Sequence, residues 1–582
     1  MENLKYSEIL RLNKEIGIRI AEMSSYNIAV LSNIITSQLN EVLEYSLRKQ
    51  NINANVTSGD YDNLIHNSSA FAGSDLVIIF FETSNLIDGF QYKANLMDEK
   101  AVAVFISKVK TEIDFLLDNL KNTALVIFNK FSSSVFNPYF AKTNNYENIC
   151  NELNEYLVQR GGVNTILFDL DRIFAKKSVE KCVDFRYYYS SKALYTIEFY
   201  KTYSQFINPI IRSVKGHAKK ALIFDCDNTL WKGVLGEDGF DNIEMSGKTK
   251  GGVVYEEVQS LALELCKHGI LIGLCSKNNP GDIEHVINNH PDMILRNENI
   301  TIKKVNWDDK LSNLKAIAKE LNIGLNSIVF VDDSDFEVGL IKEQLKEVTV
   351  LQVPSNRFEY PALIRESLNL FYSISETEED LSRIEMYKNQ MQREKERKSF
   401  NTIDSYLASL ELSIKIHLDN INIVPRIAQM TQKTNQFNLT TKRYTETEIE
   451  NFIKSDEFRV LAFEVSDKYG DSGITAIAIL KINHASKKVI IDTFLMSCRV
   501  IGRNLELTIM DIIVDYISKI GLMLVEAFYS KSSKNEQVSE FYSKIGFTII
   551  DNNENEKKYL LKLSEYNPQN LNYIKIDDGR EN

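Results

Sequence analysis

Ala221-Leu222-Ile223-Phe224-Asp225-Cys226-Asp227-Asn228-Thr229 decides how the middle of this chain is read. The four apolar residues form a short run bounded by polar ones, the pattern of a buried strand. Two carboxylates follow at once, one residue apart. In an open parallel sheet, ligands bind beyond the carboxyl ends of the strands. Strand-like alternation sends Asp225 and Asp227 to the same side. One carboxylate can then attack phosphorus while the other handles the proton of the leaving group. Two carboxylates this close do not both ionise comfortably without a cation, so Mg2+ is expected.

Working outward, the same arrangement recurs at later strand ends. Ile270–Leu274 leads into Ser276-Lys277-Asn278, a hydroxyl and amides able to hold phosphoryl oxygens. Trp307-Asp308-Asp309-Lys310 opens the helix Lys310–Leu321 and brings a cation for developing negative charge. Ser327–Val331 ends in Asp332-Asp333, hard oxygen ligands for a divalent cation. A second helix is read over Val254–Lys267. A lone DxDxT could equally be a turn whose Asp and Thr cap the next helix. Four such groups in chain order, each after a strand, favour a catalytic centre.

These groups resemble the four motifs of the haloacid dehalogenase (HAD) superfamily of aspartate-nucleophile phosphotransferases. The resemblance implies a Rossmann-like parallel sheet in which Asp225 is the nucleophile and becomes an aspartyl-phosphate. It makes Asp227 the acid/base and places Thr229, Ser276, Lys277 and Lys310 around the phosphate. Asp225, Asp227, Asp332 and Asp333 are then the Mg2+ ligands. Leu230-Trp231-Lys232-Gly233-Val234-Leu235-Gly236-Glu237-Asp238-Gly239, Cys275-Ser276-Lys277-Asn278-Asn279 and Lys433-Thr434-Asn435-Gln436-Phe437-Asn438-Leu439-Thr440-Thr441 resemble longer strings of the FkbH-like proteins, HAD subfamily IIIC. That likeness extends over residues 1–570. It implies transfer of a glyceryl unit from 1,3-bisphosphoglycerate to the thiol of an acyl carrier protein, with phosphate removal at the HAD centre. Such units serve natural-product or surface-polysaccharide biosynthesis. Cys226 stands where that family commonly has Leu and reads as core packing.

Residues 401–582 change character, with strands at Val460–Val465, Gly473–Ile482 and Val489–Phe494 and helices at Asn504–Lys519 and Glu536–Ile545. Arg499-Val500-Ile501-Gly502-Arg503-Asn504 lies between a strand and a helix. Backbone amides at a helix N-terminus can hold a pyrophosphate. The stretch resembles the pyrophosphate loop of GNAT-type acyltransferases, with Asn504 in place of the usual Gly or Ala. Asn535 and Phe541-Tyr542-Ser543-Lys544-Ile545-Gly546-Phe547 resemble the closing pattern of that fold. The likeness implies a phosphopantetheine thioester, carrier-bound or on coenzyme A, held by Arg499, Gly502, Arg503 and Asn504. A glyceryl thioester is reached by direct attack of the carrier thiol or through an enzyme cysteine, for which Cys275 and Cys498 are the candidates. A buried small hydrophobe is the commoner fate of either.

Residues 1–180 alternate strands (Tyr26–Leu31, Leu76–Phe81, Ala124–Phe128, Thr165–Phe168) with helices (Gln38–Lys49, Lys108–Asn119), the pattern of a doubly covered parallel sheet. In the family context they look like a degenerate SGNH-hydrolase-like domain, with Ser32-Asn33 where that fold keeps its nucleophile. No His follows Asp169 or Asp171 closely, so a Ser–His–Asp triad is unsupported, and docking or substrate positioning is the better assignment. The expected plan is an α/β protein: this domain at 1–180, an aromatic helical connector at 181–218, a HAD-like catalytic domain at 219–375, a charged helical linker at 376–400 and a GNAT-like α+β domain at 401–582.

Composition sets outer limits. With 582 residues the chain is too long for one core. The net charge of −12 gives no general attraction to nucleic acid or to an anionic membrane. Six scattered cysteines without a CxxC pair fit a reducing compartment, and neither a signal peptide nor an apolar span of membrane length is read. A soluble, cytoplasmic enzyme is expected, its partners an acyl carrier protein and a small phosphorylated three-carbon substrate. A plain small-molecule phosphatase and a non-catalytic carrier-docking scaffold stay open as alternatives.

Overall fold

The computed structural model describes residues 1, 3–137, 142–374, 383–397, 399–532 and 534–577. The chain divides into two compact units: Met1–Ile211 with Tyr444–Asn451, and Arg212–Arg443 with Phe452–Asn582.

The first unit is built on a parallel sheet of β1 (Tyr26–Ser32), β2 (Ala54–Ser58), β3 (Leu76–Phe80), β4 (Val126–Asn129) and β5 (Thr165–Phe168), in the order β2-β1-β3-β4-β5. The central strand β3 is buried along its whole length, as a strand covered on both faces must be. β2 was not expected from sequence. It is an edge strand with alternate residues exposed and polar, which weakens its apolar signal. The helix Glu99–Asn119 starts at Asp98, whose carboxylate accepts the Ala101 N–H at 2.8 Å. It buries Phe105, Val109, Ile113 and Leu116, one face at helical spacing, against Val77, Ile79 and Phe128.

The stretch expected to be a connector differs. Residues 181–211 belong to the first unit, and Tyr188, Tyr195, Phe199 and Tyr203 are buried there. Phe199, Tyr203 and Ile207, four residues apart, form the apolar stripe of the helix Ile197–Val214. The Tyr203 ring lies 4.9 Å from Phe80, and its hydroxyl donates to Asn129 at 3.0 Å. Tyr195 stacks on Phe199 at 3.8 Å and donates its hydroxyl to Glu82, just past β3. Aromatic rings therefore fill the carboxyl ends of β3 and β4.

The second unit contains two sheets. One joins β6 (Ala221–Phe224), β7 (Leu271–Ser276), β8 (Ile300–Val305), β9 (Ile328–Asp332) and β10 (Thr349–Gln352), all parallel, in the order β10-β9-β6-β7-β8. The chain runs from β6 out to β8, then returns to the other side of β6 for β9 and β10. The order reverses at β6, which places the ligand crevice at its carboxyl end. Gly273 in β7 permits this packing, since a Cβ there would lie 2.6 Å from the Ile223 side chain and 2.8 Å from that of Ile302.

The other sheet is mixed, and its strands are β11 (Leu412–Leu418), β12 (Phe437–Asn438), β13 (Phe458–Asp467), β14 (Gly470–Asn483), β15 (Lys488–Met496), β16 (Leu524–Ser530), β17 (Thr548–Asn552), β18 (Glu556–Lys562) and β19 (Ile574–Asp577). The main path is β17-β18-β16-β15-β14-β13-β11-β19. β15 and β16 pair in parallel only over Lys488–Ile491 and Leu524–Ala527. Beyond that they part, and β12 enters the gap: Phe437 and Asn438 pair with Met496 and Leu495, while the Ser530 N–H donates to the Leu439 carbonyl at 2.8 Å.

Residues 376–382 of the expected charged linker lie outside the described residues. Residue 398 also lies outside them, and Arg383–Arg397 is a helix that is not a solvated connector. Tyr387 is buried with Leu314 and Ile317, and Arg393 forks onto Asp467 through two 2.7 Å hydrogen bonds. One buried ring and one paired guanidinium among many charges leave no periodic trace in the sequence. Among the described residues, no helix is long and apolar enough to cross a membrane.

Candidate active site

The site is assembled where β6, β7 and β9 end side by side. The Asp225 N–H still bonds the Val331 carbonyl at 2.9 Å, so the first carboxylate leaves the sheet in strand register. β9 delivers Asp332 from the neighbouring strand. Lys310 begins the helix Lys310–Glu320, capped by the Asp309 carboxylate on the Ser312 N–H at 2.7 Å. Its Nζ lies 2.7 Å from Asp332 Oδ2 and 3.1 Å from Asp225 Oδ2. All three side chains are buried.

Burial raises the Asp225 carboxyl above the usual carboxylate range. Lys310 pulls against that rise and Asp332 adds to it. Asp332 is raised by burial in the same way, with Lys310 opposing. Burial works against the Lys310 charge, but the two carboxylates outweigh it and hold the amine protonated beyond the ordinary lysine range. One ammonium between two buried carboxylates leaves negative charge to be met by a further cation.

Asp225, Asp332 and Asp333 each place one carboxylate oxygen within 4.8 Å of the others. Three hard oxygen donors so arranged fit Mg2+, which takes carboxylate ligands alongside water and substrate oxygens. Asp227, expected among the metal ligands, is not in this group. Its Oδ1 accepts Trp231 Nε1 and the Leu235 N–H, each at 3.0 Å, and its Oδ2 accepts Asn278 Nδ2 at 2.9 Å. Three donors fix the carboxylate in one orientation, which suits a group that must meet a proton at a defined place.

The remaining expected residues divide. The Ser276 hydroxyl accepts Asn278 Nδ2 at 3.2 Å and helps to hold the Asp225 carboxyl down, so it belongs to the cluster. Thr229, four residues after Asp225, is fully buried, and its hydroxyl has no hydrogen-bond partner among the described residues. The Lys277 amine bonds Glu337 at 2.7 Å, while Asp333 faces Arg357 at 3.6 Å. Cys275 is not brought into the site. Alternation along β7 turns it into the core, where its Sγ lies 3.8 Å from the Lys310 carbonyl oxygen and burial pushes the thiol up, away from thiolate. Cys226 is core packing, as read from sequence. Asn278, Trp231 and Glu337 were not expected as site residues. Asn278 sits in the strand-end stretch Ser276-Lys277-Asn278 and Trp231 in the string Leu230–Gly239, which were the available signals; Glu337 carried none.

The loop expected to hold a thioester is also built differently. Arg503 is buried, its Nη1 3.0 Å from Asp467 Oδ2, and it shares that carboxylate with Arg393. Its Nη2 donates to the Arg499 carbonyl at 2.8 Å. The guanidinium is thus engaged inside the fold, because a buried arginine must find a carboxylate. Arg499 donates to Ser497 Oγ at 3.2 Å and contacts the Met386 sulfur. Gly502 and Asn504 take positive φ, +84° and +58°, to turn the chain into the helix Leu505–Lys519. Asn504 also donates to the Tyr573 hydroxyl at 3.0 Å. Cys498 is half-buried at the start of this loop.

No protein-family model and no curated protein matches the chain. Among solved structures it is similar to the N-terminal part of the protein BF1531 from Bacteroides fragilis, which contains a phosphatase domain and is complexed with Mg. The identity is 26%, the likeness covers 64% of this chain and 100% of that one, and the TM-score is 0.56. Over that length the two share a fold. The chain is also similar to mutant forms of the spermidine/spermine N-acetyltransferase SpeG from Vibrio cholerae, at 15% identity and a TM-score of 0.22, over 26% of this chain and 95% of that one. The same enzyme in complex with manganese ions matches at 14% identity and a TM-score of 0.21, over 27% and 95%.

Proposed function

We propose that this chain is a Mg2+-dependent phosphatase of the HAD type that couples phosphate removal to transfer of a glyceryl unit onto the phosphopantetheine thiol of an acyl carrier protein. The observation that carries the phosphatase reading is the Lys310 amine held between Asp225 and Asp332 at the carboxyl ends of β6 and β9. The Mg-bound, phosphatase-containing neighbour of 26% identity supports it.

An Asp225 carboxylate oxygen attacks phosphorus, and the bond from phosphorus to the leaving oxygen breaks. Asp227, oriented by Trp231, Leu235 and Asn278, gives that oxygen its proton. Water then attacks the aspartyl-phosphate, Asp227 takes the proton back, and inorganic phosphate leaves with Asp225 restored. Lys310 holds the charge that gathers on the phosphoryl oxygens. Asp225, Asp332 and Asp333 would hold Mg2+, which when bound neutralises phosphoryl charge.

For the glyceryl step, the carrier sulfur attacks the acyl carbon of 1,3-bisphosphoglycerate. The bond from that carbon to the phosphate oxygen breaks and phosphate departs, leaving the other phosphoester for hydrolysis at Asp225. Direct attack fits the burial of Cys275 better than a relay through it. The long strings Leu230–Gly239 and Lys433–Thr441 support this substrate assignment. The first unit, an SGNH-like domain whose sheet ends are filled by Tyr195 and Tyr203, is assigned to positioning the carrier.

A plain phosphatase is the second reading. It is favoured by Arg503 being engaged on Asp467 inside the fold and by β12 filling the gap between β15 and β16. Intact-mass analysis of a carrier protein incubated with the enzyme, Mg2+ and 1,3-bisphosphoglycerate tests both. A glyceryl adduct supports transfer. Phosphate release without an adduct leaves the phosphatase alone.

A further inference from the structure

The amino-terminal edge of the β6 sheet, opposite the catalytic edge, gathers cations that the proposed reaction does not use. Lys219 and Lys220 precede β6, and Lys220 is five residues from Asp225, or ~16 Å along an extended strand. A cavity of about 310 Å³ opens here, lined by Gly216, Lys219, Lys220, Lys433, Leu265 and Phe371 among others, and no carboxylate lines it among the described residues. The Lys220 amine donates to the Lys433 carbonyl at 3.0 Å.

Arg443 closes the same corner. Its guanidinium donates to the carbonyls of Thr431, Gln432 (2.9 Å) and Thr434 (2.7 Å) and to Asn435 Oδ1 at 2.5 Å. Every acceptor is neutral, so its hydrogen bonds are met while its charge is not. Gly216, at φ +69°, lies directly against it: a Cβ there would be 1.9 Å from the Gln432 oxygen and 3.1 Å from Arg443 Cζ. His217 follows, and its carbonyl accepts Arg212 Nη2 at 3.3 Å. Lys534 stands in the loop after β16, which Asn535 ties to the Asn438 carbonyl at 2.9 Å. Its amine has no hydrogen bond or ion pair among the described residues.

Lys534 and Arg443 act on His217, and Lys220 and Arg443 act on Lys534. Burial and then the neighbouring Lys534, Arg443, Lys215 and Arg212 charges push His217 down to about 3. Burial, Lys220 and Arg443 lower Lys534 to about 8, against the pull of Glu347. Like charges brought together in a poorly solvated corner repel, and an anion arriving between them would reverse that sign.

We propose that His217, Lys220, Arg443 and Lys534 form a second anion site, which takes the phosphate or pyrophosphate group of a small organic ligand. Several cations gathered beside one cavity match a multiply charged, many-oxygened group better than a single carboxylate. The apolar wall of Leu265, Ile270 and Phe371 suits an organic body attached to it. The site does not depend on the phosphatase reading.

Calorimetric titration of the full chain in EDTA with inorganic pyrophosphate, and separately with inorganic phosphate and with phenyl phosphate, tests this. Binding should weaken at least ~10-fold in Lys534→Met, the loss expected when a charge partner of a buried anion is removed. Asp225→Asn should bind as the unaltered chain does. Tighter binding of phenyl phosphate than of inorganic phosphate identifies an organic ligand; the reverse order assigns the site to free phosphate or pyrophosphate. Equal pyrophosphate binding by Lys534→Met and the unaltered chain overturns the proposal, as does no binding at millimolar pyrophosphate. Should Lys534→Met fold poorly, the unaltered chain still decides: pyrophosphate must shift the His217 imidazole resonance, assigned with His217→Gln, and an unmoved resonance overturns the site.

Discussion

Lys310 Nζ lies 3.1 Å from Asp225 Oδ2, a cation from one strand–helix junction set against a carboxylate from another, both buried. Lys310→Met removes the charge from between Asp225 and Asp332. Phosphate release from a generic phosphomonoester should fall ~100-fold or more, the scale of losing a preorganised charge-stabilising group. Stability should fall by ~3–5 kcal/mol, since two buried carboxylates lose their partner. A colorimetric phosphate assay and a urea titration read the two effects, and retained turnover would remove Lys310 from the reaction.

Asp227 is held by Trp231, Leu235 and Asn278, so its role should depend on the leaving group. Asp227→Asn should cost ~100-fold or more with an alkyl phosphate, whose oxygen needs a proton, within the range of general acid catalysis. With p-nitrophenyl phosphate the loss should be much smaller. Asn278→Ala should lower kcat in the same leaving-group-dependent manner. Equal losses on both substrates would contradict the assignment of Asp227 as acid.

The carboxylate triad predicts how metal dependence divides. EDTA should abolish phosphate release and Mg2+ restore it. Asp333→Asn should raise the Mg2+ concentration needed for half activity ~10–100-fold, while turnover at saturating Mg2+ recovers substantially. Asp225→Asn should not recover at any Mg2+ concentration. A Mg2+ titration of initial rates separates the two.

The Arg393–Asp467–Arg503 group should behave as structure. Asp467→Ala leaves two buried guanidinium groups without their anion and should cost ~3–5 kcal/mol. Arg503→Met leaves the Arg393–Asp467 pair intact and should cost less. Denaturant midpoints check the order. If Arg503→Met left stability unchanged but abolished thioester binding, the guanidinium would be a ligand-binding group after all.

Lys219 gives a pH signature. Burial lowers its amine from 10.5 to about 7, with Arg212 and Lys534 adding to the fall. Between those values the unfolded chain binds more protons than the folded one, so this residue's contribution to stability rises with pH from about 7 to 10.5. Lys219→Met should flatten that part of the stability–pH curve and stabilise the chain most near or below neutral pH. An unchanged slope in urea midpoints would contradict it.

Much of the β6 sheet was legible because its signals are local. Ala221–Phe224, Leu271–Ser276 and Ile328–Asp332 are apolar runs ended by polar groups, and parallel strands buried on both faces must look like that. β2 and β12 were not legible. The first is half-exposed and polar, and the second is a two-residue strand defined by its partner rather than by its own residues. The helix Arg383–Arg397 misled because charge density reads as solvation, whereas Arg393 is paired and Tyr387 is inserted into a core.

Local patterning dictates which chemistry-bearing residues stand at strand ends, because alternation and strand termination act over a few neighbours. It also determined the two-carboxylate start after β6. Tertiary packing settled which of them meet. It brought Lys310 onto Asp225 and Asp332, drew Asp227 away from the metal-ligand group onto Trp231, Leu235 and Asn278, turned Cys275 into the core and spent Arg503 on Asp467. Those outcomes depend on strand order and on which buried charge finds a counter-charge across many residues of chain, and a one-dimensional pattern does not carry that information.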